Sequence, residues 1–81
     1  MANVLIYTTE TCSYCVSAKK LLEKKGIAYT EIRVDTDPVQ REEMVKKSNR
    51  HTVPQIFIND THIGGFDDLY ALERAGKLYS Q

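Results

Sequence analysis

The sequence VLIYTTETCSYC (residues 4–15) decides the fold. Its first four residues are mostly apolar, which is typical of a buried strand, and a polar turn separates them from Cys12. Cys12 and Cys15 begin a segment with helical spacing of apolar residues, predicted to run over 12–25. Thiols at this spacing lie on one face of a helix. The unpaired backbone N–H groups and the dipole at a helix start favour a thiolate, the species that attacks disulfides.

The middle of the chain predicts a second strand and a second helix. Residues 29–34 alternate between apolar and polar, as in a strand. Pro38 follows an acidic turn and is well suited to the first position of a helix. We expect this helix to direct Val39, Met44 and Val45 toward the core.

The last third predicts a hairpin and a third helix. Residues 55–58 and 61–63 have strand character around Asn59-Asp60, which is favourable hairpin chemistry. Two glycines then precede a helix predicted at 67–75, with Asp67 as its cap. The predicted order is β-α-β-α-β-β-α. It requires an α/β fold with a four-stranded mixed sheet and helices on both faces.

Length and composition narrow the function classes. The 81 residues are expected to form one domain spanning 1–81. Eleven basic residues balance eleven acidic ones, so we expect neither a nucleic-acid nor a membrane partner. The longest apolar run is too short for a signal peptide or a membrane span. A small secreted domain would need more cysteines than two, so a reducing cytoplasm is the expected location.

The cysteine pair has three possible interpretations. A Cys-x-x-Cys beside a βαβ pattern favours a redox site. A structural disulfide is the second interpretation, but so short a ring constrains the unfolded chain little. A zinc site would need His51 and His62, whose separation is far from the usual ligand spacing, so no metal site is predicted.

Three separated motifs carry a resemblance to a known family. They are Glu10-Thr11-Cys12-x-Tyr14-Cys15, Thr52-Val53-Pro54-Gln55-Ile56-Phe57-Ile58, and His62-Ile63-Gly64-Gly65-x-Asp67-Asp68-Leu69. At these separations the chain resembles the small bacterial dithiol glutaredoxins nearly end to end. The resemblance implies a thioredoxin fold.

The resemblance also implies a role for each motif. Cys12 corresponds to the nucleophile and Cys15 to the more buried resolving thiol. Pro54 corresponds to the cis-proline of the family, which leaves the Val53 backbone free to pair with glutathione. Backbone N–H groups at the start of the last helix would hold the γ-glutamyl carboxylate. The glutathione-binding residues implied in this way are Cys12, Tyr14, Thr52, Val53, Pro54, Gly65, Asp67 and Asp68.

The implied activity is that of a glutathione-dependent thiol–disulfide oxidoreductase. Glutathione is then a cosubstrate, no cofactor is permanently bound, and the protein acts as a monomer. Its partners would be glutathionylated or disulfide-containing proteins, with ribonucleotide reductase left open as a target.

Two positions depart from the family pattern. Ser13 stands where the family usually has Pro, and Thr9 stands where it commonly has a Lys that helps to hold glutathione. Lys19 and Arg50 are both open as replacements for that charge. Ser at this position is similar to the motif of family members that share a [2Fe–2S] cluster between two protomers. A cluster-binding dimer is therefore the alternative function. A thioredoxin-like reductase is disfavoured, because the chain has no Trp before the motif.

Overall fold

A computed structural model describes residues 3–78 of the chain. The predicted domain, 1–81, extends beyond the described residues at both ends. The secondary structure follows the predicted order: β1 (Val4–Thr8), α1 (Ser13–Lys24), β2 (Thr30–Arg33), α2 (Pro38–Ser48), β3 (Gln55–Ile58), β4 (Thr61–Gly64) and α3 (Phe66–Arg74).

The strands form one mixed sheet in the order β2-β1-β3-β4. β1 is parallel to β2 and antiparallel to β3, and β3 is antiparallel to β4. The hairpin between β3 and β4 turns through Asn59 and Asp60, both in the left-handed region with φ of 50° and 66°. Asn and Asp tolerate this region better than other non-glycine residues, so the turn forms where the sequence predicts it. The predicted mixed sheet is confirmed.

The two faces of the sheet bury two separate cores. Successive side chains of β1 point to opposite faces. Ile6 packs in a core with Ala18 and Leu22 of α1 and Leu69 of α3. Tyr7 packs on the other face, in a second core that contains Met44 of α2, Val34 and Phe57. Helices therefore cover both faces of the sheet, as expected for a thioredoxin fold.

The predicted burial of Val39 is wrong. Its side chain is 67% exposed, whereas Met44 is fully buried and Val45 half-buried. Five residues along an α-helix turn through about 500°, so Val39 lies about 140° around the axis from Met44. The side of α2 that packs against the sheet is the side that carries Met44, and Val39 lies outside it.

Among residues 3–78, no helix is long and apolar enough to cross a membrane.

Candidate active site

Cys12 caps the N-terminus of α1. Its backbone is extended, and its Sγ accepts a hydrogen bond from the backbone N–H of Cys15 at 3.1 Å. The side chain is half-buried, so the sulfur remains accessible from solvent. A sulfur at this position meets N–H donors that the helix itself leaves unpaired.

Cys15 lies one turn further along and is only 1% exposed. Burial, reinforced by the hydrogen bond and charge of Cys12, raises the pKa of Cys15 to about 12. A hydrogen bond from the Thr9 backbone and the charge of Lys19 oppose this rise without cancelling it. Both cysteines are free thiols, and the two are clearly unequal. One is accessible and the other is buried and protonated.

The loop before β3 lies against the accessible thiol. The Val53–Pro54 peptide bond is cis, as the family resemblance implies. The Sγ of Cys12 lies 3.7 Å from the carbonyl oxygen of Val53. This contact joins the start of α1 to the loop before β3, although Cys12 and Val53 are far apart in the sequence.

A cavity of about 260 Å³ opens beside this contact. It is bounded by the start of α1, the loop before β3 and the start of α3. Seven of the residues predicted to bind glutathione line it: Tyr14, Thr52, Val53, Pro54, Gly65, Asp67 and Asp68. Cys12, the eighth predicted residue, borders the cavity through its contact with Val53.

Three further residues line the cavity: Arg50, Gln55 and Phe66. The sequence indicates Arg50 only as a candidate replacement for the missing lysine charge. The position of Phe66, directly after Gly65 in a predicted site segment, could have indicated its place. Its ring stacks on Tyr14 with centroids 6.2 Å apart and on Tyr70 with centroids 5.9 Å apart. Gln55 belongs to the quoted Thr52–Ile58 motif, but the sequence assigns it only to the start of a strand and not to the site.

The start of α3 differs from the prediction. Gly65, not Asp67, is the N-cap residue. The carboxylate of Asp68 reaches back to accept a hydrogen bond from the Gly65 N–H at 3.1 Å. Gly64 has a φ of +123°, and any side chain there would overlap the Asp68 carboxylate. Glycine at position 64 therefore allows the chain to bring Asp68 and the first turn of α3 to the cavity.

The two candidate replacement cations, Lys19 and Arg50, have different surroundings. Lys19 pairs with Glu31, its Nζ 2.9 Å from the carboxylate. Arg50 lines the cavity, with a guanidinium nitrogen 3.7 Å from Asp68. Only Arg50 of these two is in a position to meet an anionic ligand in the cavity.

A thioredoxin fold with an accessible thiol at a helix start, a second thiol one turn below and a cis-proline opposite defines the class of thiol–disulfide oxidoreductases. The glutaredoxin family model matches residues 4–63. The chain is 59% identical to glutaredoxin 3 of Escherichia coli over 96% of its own length and 94% of that protein.

Solved structures agree with this match. The solution structure of glutaredoxin from Brucella melitensis superposes with a TM-score of 0.83 at 52% identity, covering 95% of this chain and 84% of that one. A crystal structure of a buckwheat glutaredoxin–glutathione complex gives 0.86 at 30% identity, covering 95% and 73%. The chain belongs to the glutaredoxin family, and it is a glutathione-dependent thiol–disulfide oxidoreductase.

Proposed function

We propose that Cys12 is the nucleophile and Cys15 the resolving thiol of this enzyme. The contrast between a half-exposed Cys12 at the start of the helix and a buried, protonated Cys15 supports this division most directly. The Cys12 thiolate attacks the glutathione sulfur of a protein–glutathione mixed disulfide. The protein sulfur leaves as a thiolate and takes up a proton, and Cys12 becomes disulfide-bonded to glutathione. The thiolate of a second glutathione then attacks the glutathione sulfur of this disulfide, which releases glutathione disulfide and restores the Cys12 thiolate.

Protein disulfides require the second thiol. Attack by Cys12 on such a disulfide gives a mixed disulfide with the protein and releases one protein thiol. Cys15 then loses its proton and attacks the Cys12 sulfur, which releases the second protein thiol and leaves a Cys12–Cys15 disulfide. Two glutathione molecules reduce this disulfide. The burial of Cys15 keeps it unreactive until Cys12 has captured a substrate.

The cavity is the proposed site for glutathione. The Val53 backbone would pair with the cysteinyl unit, and the N–H groups at Asp67 and Asp68 would hold the γ-glutamyl carboxylate, an anion at a helix N-terminus. Arg50 would supply the positive charge that Thr9 lacks. The relative from buckwheat forms a complex with glutathione, which supports a tripeptide site in this fold.

The broader setting is also part of the proposal. The substrates are glutathionylated and disulfide-containing proteins, and the enzyme works as a monomer in the cytoplasm, where it transfers electrons from glutathione. The balanced charge of the chain supports the absence of a nucleic-acid partner. Its single pair of cysteines supports a reducing compartment.

Two serine variants test the division of labour. Cys12→Ser should abolish both reactions, because no accessible thiol remains. Cys15→Ser should still remove glutathione from a glutathionylated peptide but should lose the reduction of a protein disulfide that needs resolution. Assays of both substrates with each purified variant measure this. Exchange activity in Cys12→Ser would refute the assignment.

The cluster-binding alternative has one supporting observation, the accessible thiol of Cys12 beside Ser13. A [2Fe–2S] cluster takes four ligands, usually cysteine thiolates. Within residues 3–78 no group of three or more His, Cys, Asp or Glu side chains is placed to hold a metal ion, so one protomer cannot supply all four ligands. The other ligands would have to come from glutathione and a second protomer. Anaerobic reconstitution with iron, sulfide and glutathione, followed by sizing, tests this. A colourless monomer, under conditions that load a cluster-binding glutaredoxin, would exclude it.

A further inference from the structure

A chain of side-chain hydrogen bonds joins His62 on β4 to the wall of the cavity. His62 Nε2 lies 2.7 Å from Gln55 Oε1. Gln55 Nε2 lies 3.0 Å from the carbonyl oxygen of Thr52 and 3.2 Å from its hydroxyl oxygen. Gln55 is 1% exposed, so water cannot easily replace these partners. The buried amide therefore uses both its oxygen and its nitrogen.

The direction of each hydrogen bond follows from chemistry. A backbone carbonyl can only accept, so the amide nitrogen of Gln55 must face Thr52. The amide oxygen then faces His62, and it must be met by an N–H group. Burial and the charge of Arg50 lower the pKa of His62, although the charge of Asp68 opposes them. Because the amide oxygen needs a donor, the ring carries a proton on Nε2 whether it is neutral or charged.

This direction determines what Thr52 can offer a ligand. The Gln55 amide donates to the Thr52 hydroxyl oxygen and so occupies one of its lone pairs. The hydroxyl donates to no acceptor within the described residues, and Thr52 lines the cavity. We propose that His62, acting through Gln55, orients the Thr52 hydroxyl as a donor into the cavity. It would meet a carbonyl or carboxylate oxygen of the glutathione peptide.

In this inference His62 is a positioning residue, since it does not itself line the cavity. This inference rests on the proposed placement of glutathione against Thr52. Because only ligand binding depends on the hydroxyl, the loss of His62 should affect KM for a glutathionylated peptide and leave kcat nearly unchanged. A general disturbance of the fold would lower the melting temperature and kcat as well.

Two substitutions at position 62 test the need for a donor. His62→Phe keeps a ring against Phe57, whose centroid is 5.0 Å away, but removes the N–H. It should raise KM about three- to tenfold, the effect of losing about one hydrogen bond. His62→Gln restores an N–H donor and should return KM to within about twofold of the unmodified enzyme. His51→Phe, at an exposed histidine outside the cavity, is the matched control and should leave KM unchanged.

A double-mutant cycle with Thr52→Val tests the route of the effect. If His62 acts through the Thr52 hydroxyl, His62→Phe should cause no further rise in KM once that hydroxyl is absent. Additive effects would overturn the inference. If His62→Phe proves unstable, Gln55→Met removes the same connection and should give the same non-additive result.

The single variants also separate this inference from the proposed function. A rise in KM for Thr52→Val, with no change for His62→Phe, would refute only the role of His62. No change for Thr52→Val would refute the contact between Thr52 and glutathione, and the inference with it.

Discussion

Because Cys15 is buried and Cys12 is only half-buried, we expect the two thiols to be alkylated at very different rates. The pKa of Cys15 is about 12, mainly because the side chain is buried. At pH 8 about one such thiol in ten thousand is ionised, compared with about one in four for a free cysteine with a pKa of about 8.5. Only the thiolate reacts, but a more basic thiolate is also the better nucleophile, so Cys15 should be alkylated on the order of a hundredfold more slowly than a free cysteine.

The assay is a timed reaction of the reduced protein with iodoacetamide at pH 8. Intact-mass measurement and peptide mapping then locate the label. One alkyl group should be added at Cys12, and the second only after denaturation. In Cys12→Ser the hydrogen bond and charge of Cys12 are lost, but burial, the largest cause of the raised pKa, remains. Cys15 should therefore stay slow in that variant. Labelling of Cys15 in folded Cys12→Ser within about tenfold of the rate for a free cysteine would refute the reasoning.

Three further predictions concern stability and binding. Met44→Ala should cost about 2–5 kcal/mol in the free energy of unfolding by urea, because the side chain is fully buried, whereas Val39→Ala on the same helix should cost less than about 0.5 kcal/mol; equal costs would contradict the observed helix orientation. Hydrogen bonds from Thr8 and Lys19 lower the pKa of Glu31. The contribution of Glu31 to the free energy of unfolding is therefore present above the ordinary carboxyl pKa and is lost as the pH falls. Glu31→Gln should cost about 0.5 kcal/mol at pH 7, because the pair is partly exposed, and progressively less as the pH is lowered below the ordinary carboxyl pKa, as measured by urea unfolding over a series of pH values. Thr9→Lys should lower KM for a glutathionylated peptide by adding a second cation, and an unchanged KM would mean that the lysine of other family members has no counterpart role here.

Local patterns predicted the elements of the fold because each pattern has a direct physical cause. The apolar run of β1, the Pro38 helix start and the Asn59-Asp60 turn all lie where the sequence predicts them. The failure at Val39 has an equally simple reason. Periodicity predicts that a helix has a buried side, but the packing against the sheet decides which residues at its edges belong to that side.

The candidate site was less accessible to local reasoning. The convergence of the three motifs depends on the topology of the sheet, and their roles were implied by family resemblance. The cap of α3 was predicted wrongly because the Asp68 side chain, not that of Asp67, supplies the hydrogen bond that secures the helix start. The choice between Lys19 and Arg50 required coordinates, because Lys19 lies on α1 and the Glu31 that engages it lies on β2.

The short outer strands of the sheet have a consequence for behaviour at high concentration. β2 and β4, the two edges, are each four residues long. Glu31 and Arg33 on β2 are held in ion pairs, at 2.9 Å to Lys19 and 2.6 Å to Asp35. Short edge strands that carry charged side chains pair poorly with a strand from another molecule, and the irregular pairing of β3 with β4 interrupts the regular ladder beside the second edge. Such edges disfavour the addition of strands from other molecules, so we expect the folded protein to have little tendency toward edge-to-edge aggregation.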